Sequence, residues 1–216
     1  MKYKLIAPVK WNNARAQVLF NRGITEDNFT KYVYASMDDV SPPEAFGEEK
    51  MEQAVKMMAQ HINQNDKTII IVDPDVDGNT SSALLLNYLY NSFPGWVKNI
   101  KFYFHEGKQH GLNDCIDYIL ENNFKFVLCP DAGSNDKDEC EILQNHGVDV
   151  LILDHHDFDR ENPYAVIINN QNGYSNYPNK ALSGVGVVWQ FCRYFDKIMN
   201  THYANNYLDL VAIGLD

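Results

Sequence analysis

The sequence lacks any run of apolar residues that approaches the ~18 needed for a membrane-spanning helix. Its start, MKYKLIAPVKWNNAR, also lacks the apolar core and the small-residue cleavage site of a secretory signal. Only four cysteines are present, without CxxC or metal-finger spacing, and this excludes a disulfide scaffold. We therefore expect a cytoplasmic protein that is neither exported nor membrane-bound. We expect reduced, mostly buried thiols at Cys115, Cys129, Cys140 and Cys192.

Positive charge is scarce as well. The 216 residues include 18 Lys and Arg against 29 Asp and Glu, which gives a formal net charge of −11. This balance excludes a generally basic surface that would coat nucleic acid by charge alone. The surplus carboxylates either solvate the surface or gather around divalent cations, and their positions in the sequence decide between these two roles.

The order of apolar patterns indicates the fold class. An acidic turn around Pro42-Pro43 separates a helical lead-in, residues 1–46, from a second domain, residues 47–216. In that domain, short β-branched runs alternate with amphipathic segments, which predicts a three-layer α/β/α fold around a mostly parallel sheet. The predicted strands are TIIIV, KFYF, KFVLC, VDVLIL and AVIIN. The predicted helices are a covering helix from Met51 to Ile62, then 80–92, 112–121, 136–146 and 185–199, and a short one from Tyr207.

Acidic and imidazole side chains stand at the ends of three predicted strands. Because the carboxyl ends of neighbouring parallel strands form one crevice, we expect these groups to converge in space. Clustered carboxylates repel one another unless cations neutralise them. The groups are Asp73, Asp75 and Asp77 after TIIIV, Asp131 after KFVLC, and Asp154, His155 and His156 after VDVLIL.

These side chains predict a two-metal site. Asp75 and Asp77 lie two residues apart on a chain expected to be nearly extended, so each can reach one ion of a pair. Asp131, from another strand, could bridge both ions. Imidazole from His155 makes a mixed oxygen and nitrogen set, which suits Mn²⁺ better than Ca²⁺, with Mg²⁺ as an alternative. Two ions ~3.5–4 Å apart would hold a bridging hydroxide and accept the charge of a phosphoryl displacement.

Each motif taken alone has a plainer interpretation. The DxDxDG start resembles a calcium loop, but the expected glutamate is Leu84. An Asp-Ala-Gly after a strand is usually a turn, and adjacent histidines are usually surface or capping residues. The coincidence of all three at successive strand ends favours the metal site, because unneutralised carboxylates would destabilise the fold.

The segments DPDVDG, PDAG, LDHH and ALSGVGVVWQF resemble, in order and context, the four motifs of the DHH phosphoesterase superfamily. The greatest similarity is to the RecJ single-strand-specific exonucleases. GKQHGL occupies the place of a RecJ loop, and RGITEDNFTKYVYASMDDVSPPEAFG resembles the RecJ lead-in. The resemblance covers nearly the whole chain and marks residues 47–216 as a DHH catalytic domain.

The resemblance implies roles for individual residues. Asp75, Asp77, Asp131 and His155 would bind metal, with Asp73 as an additional acidic member of the first motif. Asp154 would orient the histidines, and His156 would stabilise the scissile phosphate or the leaving oxygen. Catalysis would therefore involve His156, Asp131 and Asp154.

Substrate contacts are implied at two further places. The turn Ser183-Gly184-Val185-Gly186 opens a helix and would offer backbone amides to a phosphate, although a plain helix cap explains it equally well. Lys108 and His110 would contact substrate from the GKQHGL loop, where a solvated loop is the alternative.

The chain departs from the family pattern twice. Some superfamily members carry a histidine where this chain has Ile71, so one metal would be held more loosely or by Asp73. The last metal aspartate of the family lies beyond the equivalent of Gly214, so either Asp216 substitutes for it or the sequence ends short of this ligand. The resemblance also implies a C-terminal domain that closes over the substrate; because this sequence does not include it, we expect a fragment or an excised catalytic domain, with a naturally minimal protein as the alternative.

The resemblance predicts a RecJ-like 5′ to 3′ exonuclease that hydrolyses single-stranded DNA to 5′-mononucleotides with Mn²⁺, in DNA repair or recombination. The alternatives are a phosphodiesterase for short oligonucleotides or cyclic dinucleotides, a pyrophosphatase, and a non-catalytic replication or repair scaffold. Bound cations would reverse the negative potential where a phosphate must sit. We expect a missing domain or a protein partner to provide much of the DNA-binding affinity.

Overall fold

The computed structural model describes residues 12–105 and 109–214. The chain divides into two compact units, Met1–Ser41 and Pro42–Asp216.

The first unit consists of short helices in its described part. Helix α1 spans Ala14–Asn21, and Asn13 caps it, since its Oδ1 accepts a hydrogen bond from the Arg15 amide at 2.8 Å. Helix α2 spans Glu26–Val33, and a 3-10 turn follows at Met37–Asp39. Neither helix has a buried residue, so local capping rather than core packing accounts for the described order of this unit.

The second unit begins with a 3-10 turn, Pro43–Phe46, that was predicted to belong to the lead-in. Phe46 is buried and stacks on Tyr177, with the ring centroids 4.2 Å apart. This turn packs against helices of the second unit, so the first unit ends before the predicted boundary at residue 46.

Five strands form one sheet in the order β2-β1-β3-β4-β5, and every pairing is parallel. The predicted parallel α/β architecture is thus confirmed. Their β-branched and aromatic residues favour strands, and four of the five are almost wholly buried. The strands are β1, Thr68–Val72; β2, Ile100–Phe104; β3, Phe126–Pro130; β4, Asp149–Asp154; and β5, Val166–Asn169.

Helices cover both faces of the sheet, which makes three layers. Helix α4 packs on β1, and α7 packs on β3, β4 and β5. On the opposite face, Ile69, Val127 and Ile152 join a core cluster with residues of α5 and α6. The helices are α3, Glu48–Gln64; α4, Val76–Ser92; α5, Ile116–Glu121; α6, Lys137–Asn145; α7, Gly184–Met199; and α8, Leu208–Gly214.

Two of these helices begin four residues away from their predicted starts. Helix α4 begins at Val76 rather than residue 80, because the Asp75 side chain caps it. Helix α5 begins at Ile116 rather than residue 112, because Leu112 and Cys115 lie in a turn closed by the hydrogen bond from the Cys115 amide to the Leu112 carbonyl.

The sheet reverses its direction of growth between β1 and β3. The chain runs from β1 to β2 on one side, and from β3 to β4 on the other. Parallel α/β sheets bind ligands in the crevice at the carboxyl ends of strands at such a switch point. In this protein, the residues that follow β1 and β3 include Asp73 and Asp131.

The four cysteines, all within the described residues, are buried and free, as predicted. Among the described residues, no helix combines the length and apolar character that crossing a bilayer requires.

Candidate metal centre

The first group of carboxylates lies where β1 passes into α4. Asp73 is buried, whereas Asp75 is exposed and caps α4 by accepting a hydrogen bond from the Gly78 amide at 2.9 Å. The predicted extended chain between Asp75 and Asp77 is therefore wrong, because the helix already begins at Val76. The two carboxylates consequently make different contacts.

Asp77 joins α4 to α7. Its two carboxylate oxygens accept hydrogen bonds from the Gly184 amide at 2.7 Å and from the Val185 amide at 2.8 Å. An anion is stabilised at a helix N-terminus because the first amides have no partner within the helix. In this structure Asp77 accepts the hydrogen bond of the Gly184 amide, which the sequence predicted to bind a phosphate; the phosphate contact stays a prediction.

Asp131 occupies the centre of the cluster. Its backbone is in the left-handed region, with φ 67°, and its amide donates to the Leu153 carbonyl at 2.8 Å. The side chain is buried, and its Oδ1 has no hydrogen-bond partner. Burial raises the pKa of Asp131 to about 7. A divalent cation binds the ionised carboxylate, so a cation and a proton would compete for this group.

His155 faces Asp131 from the end of β4. Its Nε2 lies 3.2 Å from Asp131 Oδ1 and 3.7 Å from Asp77 Oδ2. Burial alone would lower the pKa of His155, but its contact with Asp131 raises it above the ordinary value. His155 therefore presents a nitrogen to one carboxylate that follows β3 and to another in the first turn of α4, which follows β1.

Asp154 holds the histidine pair. Its Oδ1 lies 2.7 Å from His156 Nδ1 and accepts the His155 amide, while its Oδ2 accepts the Ser134 amide at 3.0 Å. Burial would raise the pKa of Asp154, but these hydrogen bonds, led by that of His156, lower it to about 2. The hydrogen bond to Asp154 raises the pKa of His156 to about 9. Asp154 therefore fixes the ring of His156, as the sequence interpretation expected.

Within residues 12–105 and 109–214, two sets of potential metal ligands share Asp131. Within each set, the ligand atoms lie within 4.8 Å of one another. The buried Oδ1 of Asp131 makes no regular hydrogen bond and faces His155 Nε2 at 3.2 Å, and a carboxylate beside an imidazole fits a divalent transition metal. The sets are Asp73, Asp75 and Asp131, and Asp131, His155 and His156.

The remaining predicted site residues divide into those near the cluster and those outside the described residues. His110 Nδ1 lies 2.6 Å from Asp73 Oδ1, so His110 contacts a carboxylate of the cluster. Ser183 precedes α7, and its Oγ is buried without a hydrogen-bond partner. Gly186 packs against Leu182. Lys108 and Asp216 lie outside the described residues.

A cavity of about 550 Å³ opens beside the histidine pair. Its walls include His110, His156 and Asp154, and the turn from Ala132 to Asp136 that follows Asp131. This volume accommodates a small polar ligand next to the cluster.

Asp136, which the sequence interpretation did not single out, lines the same cavity and accepts a hydrogen bond from the Leu112 amide at 2.7 Å. Burial raises its pKa to about 6 from 3.8. The folded protein therefore binds this proton more tightly than the unfolded chain, and the contribution of Asp136 to the free energy of unfolding falls as the pH rises from about 4 to about 6.

We accordingly expect Asp136→Asn to be more stable than the unsubstituted protein at pH 7, by on the order of 1 kcal/mol, and this difference to shrink as the pH is lowered to 4. Asparagine keeps an oxygen for the Leu112 amide but does not titrate. Urea unfolding of the metal-free protein at several pH values measures the effect, with exposed Asp117→Asn as the control. Parallel curves for the variant and the unsubstituted protein would contradict the expectation.

The sequence interpretation also missed the polar residues that follow β5. Asn169 pairs with Asp154 in the sheet register, and its Nδ2 donates to Ser134 Oγ and to the His156 carbonyl. Gln171 donates to the His155 carbonyl. The sequence does carry a signal, because Asn169-Asn170-Gln171 stands at the end of a fourth strand at the same edge, but uncharged amides are a weaker indicator of a site than carboxylates.

The fold and the cluster define an α/β protein with a candidate metal centre at the switch point of a parallel sheet. Residues 67–215 match the model of the DHH family, N-terminal domain. The chain belongs to the DHH family.

Similar proteins carry exonuclease names. The chain is 34% identical over 215 residues to YorK of Bacillus subtilis, a protein named as a prophage-derived single-strand DNA-specific exonuclease; the match covers 99% of this chain and 36% of YorK. It is 29% identical over 206 residues to the single-stranded-DNA-specific exonuclease RecJ of Bacillus subtilis, covering 92% of this chain and 25% of RecJ. The chain thus spans about a third or less of the length of these curated relatives.

The fold is shared with a solved RecJ structure. RecJ of Thermus thermophilus in complex with Mn²⁺ superimposes with a TM-score of 0.67 at 19% sequence identity, covering 91% of this chain and 27% of that one. This likeness shows a common fold, in agreement with the predicted architecture.

Proposed function

We propose that this chain houses the catalytic centre of a metal-dependent phosphodiesterase that hydrolyses single-stranded DNA. Membership of the DHH family and the exonuclease names of its relatives support a hydrolase. The observation that carries the proposal is the buried Asp131 carboxylate, which two sets of potential metal ligands among the described residues share and whose Oδ1 faces His155 Nε2 at 3.2 Å.

The proposed cofactor is a pair of divalent cations, Mn²⁺ or else Mg²⁺. Asp73, Asp75 and Asp131 would hold one ion, and Asp131 with His155 would hold the other, which leaves His156 for the phosphate. Asp77, bound to the α7 amides, would contribute through its proximity to His155. When bound, such ions activate water and neutralise the charge that develops during phosphoryl displacement.

The protein groups around the cluster support the same chemistry. His156, with a pKa of about 9, carries a positive charge at neutral pH, and its ring borders the cavity. A cationic imidazole can stabilise a phosphate oxygen and donate a proton to a leaving oxygen. Asp154 keeps the ring in place through Nδ1, which leaves Nε2 for this role.

Several finer predictions depend on the resemblance. These are the 5′ to 3′ direction, the release of 5′-mononucleotides, cytoplasmic location, and action in DNA repair or recombination. The formal charge of −11 disfavours tight binding of DNA by this chain alone. We therefore propose that another domain or a protein partner supplies much of the affinity for DNA.

The test combines metal binding with hydrolysis. The 216-residue chain is titrated with Mn²⁺ and then incubated with end-labelled single-stranded DNA, duplex DNA, dinucleotides and pyrophosphate. Mn²⁺ binding with stepwise loss of the 5′ end of single strands is the expected result. Cleavage of dinucleotides or pyrophosphate alone would favour the other members of the superfamily, and DNA binding without Mn²⁺ binding or turnover would favour a scaffold.

A further inference from the structure

Three consecutive residues with side-chain amides, the last residue of β5 and the two after it, lie at the edge of the sheet that carries the candidate metal centre. They are Asn169, Asn170 and Gln171, which we call the amide clamp. Each has one NH₂ group with two hydrogens, and each NH₂ donates two hydrogen bonds. All six side-chain donors of the amide clamp are therefore used.

The six acceptors fall on two sides of the metal centre. On the histidine side, Asn169 donates to Ser134 Oγ at 2.9 Å and to the His156 carbonyl at 3.0 Å. On the other side, Asn170 donates to the carbonyls of Asn179 at 3.0 Å and Leu182 at 3.3 Å.

Gln171 joins the two sides. Its Nε2 donates to the His155 carbonyl at 2.8 Å and to the Lys180 carbonyl at 3.0 Å. One NH₂ group thus connects the turn that carries the histidine pair with the segment that leads into α7.

The orientation of these amides follows from their partners. Five of the six acceptors are backbone carbonyls, which cannot donate, so rotating any of the three amides by a half-turn would bring oxygen against oxygen. Asn169 and Asn170 are also buried, at 1% and 0% exposure, which makes an unpaired donor costly there. Each amide is therefore held in one orientation.

Each side of the amide clamp supports a different group of the metal centre. The histidine side fixes the backbone of His155 and His156, and Ser134, whose amide binds Asp154. The other side fixes residues 179–182, which lead directly to Gly184, whose amide binds Asp77. His155 belongs to the histidine side and Asp77 contacts the other side, and His155 Nε2 lies 3.7 Å from Asp77 Oδ2.

We propose that the amide clamp is a positioning element that sets the separation of His155 from Asp77 and thereby tunes metal binding. This inference rests on the proposed function in so far as it concerns a metal. Gln171 is its central residue, because the single NH₂ group spans both sides. Partners outside the direct ligands of a metal commonly change its affinity by 10–100-fold.

Gln171→Met tests the proposal, because methionine has similar length and volume but no donor, and Gln171 is only half-buried. We expect the Mn²⁺ affinity, measured by titration calorimetry and electron paramagnetic resonance, to fall about tenfold. In the metal-free variant, we expect faster hydrogen exchange of the Gly184 and Val185 amides, because their hydrogen bonds to Asp77 are loosened. Gln171→Ser has a side chain too short to contact either carbonyl. It should produce the same loss of Mn²⁺ affinity and the same faster exchange of the two amides.

The matched control is Gln144→Met, on the exposed face of α6, which should alter neither measurement. Lower thermal stability of Gln171→Met with unchanged Mn²⁺ affinity and unchanged exchange at Gly184 and Val185 would show that the amide clamp only stabilises the fold, and would overturn the proposal. If the unsubstituted protein itself binds no Mn²⁺, the proposed function fails. Hydrogen exchange at the same two amides then still decides whether the amide clamp positions Asp77.

Discussion

Asp131→Asn is expected to abolish Mn²⁺ binding and hydrolysis while making the metal-free protein more stable. Asp131 is shared by both sets of ligands, so its loss affects both, and the effect should exceed the ~100-fold that loss of an outer partner causes. The gain in stability has a separate cause. Burial raises the pKa of Asp131 to about 7, so above that pH the folded protein bears the cost of a buried, ionised carboxylate that asparagine lacks.

Asparagine is a better substitution here than alanine, because Asp131 adopts φ 67°. Asparagine tolerates this left-handed conformation, whereas alanine would add backbone strain to the loss of the carboxylate. Calorimetric titration with Mn²⁺, thermal unfolding without metal at pH 8, and DNA hydrolysis measure the three effects.

Exposed Asp117→Asn serves as the control for the loss of one negative charge and should leave all three measurements unchanged. Retained hydrolysis by Asp131→Asn would rule out the shared-ligand arrangement. Lower stability of the metal-free variant would instead mean that the carboxylate is not under electrostatic strain.

The sequence predicted the sheet well because its signals are local. TIIIV forms β1 at the predicted residues, since five consecutive apolar or β-branched residues suit a strand buried on both faces. The convergence of Asp73, Asp131 and His155 also followed from strand order, because parallel strands place their carboxyl ends at one edge.

What the sequence could not predict depended on contacts between distant segments. Asp77 lies 107 residues from Gly184, and no local pattern indicates that the α7 amides bind its carboxylate. The amide clamp was missed for a similar reason, because the partners of Asn169 and Gln171 are mostly backbone carbonyls of other loops, which any residue possesses. Helix capping by Asp75 was a recognisable local signal, but the expectation of an extended chain obscured it.

Gly184→Ala is expected to disrupt the metal centre although it removes no ligand. A Cβ atom at this position would lie 2.5 Å from Asp131 Cγ and closer still to Asp131 Oδ1. Asp131 is buried, and its amide is hydrogen-bonded to the Leu153 carbonyl. Because both sets of ligands share its carboxylate, moving the Asp131 side chain away from the new Cβ atom would disturb both sets. The glycine in this turn thus permits the close approach of a carboxylate, where the sequence interpretation had expected a phosphate. We expect Mn²⁺ affinity to fall by more than about tenfold and stability by about 1–3 kcal/mol.

Gly186→Ala separates this effect from general crowding at the start of α7. It lies in the same first turn, but its Cβ atom would lie 2.5 Å from Leu182 Cδ1 and 2.7 Å from Leu182 Cγ, and Leu182 belongs to neither set of potential metal ligands. We expect this variant to lose stability without a comparable loss of Mn²⁺ affinity, and Gly95→Ala, whose Cβ atom meets nothing within 4 Å, to change neither. Equal Mn²⁺ affinities for Gly184→Ala and Gly186→Ala would contradict the direct contact between Gly184 and Asp131 as the cause. A loss confined to Gly184→Ala would instead establish that the first turn of α7 forms one wall of the metal centre, with its amides on Asp77 and its bare Cα against Asp131.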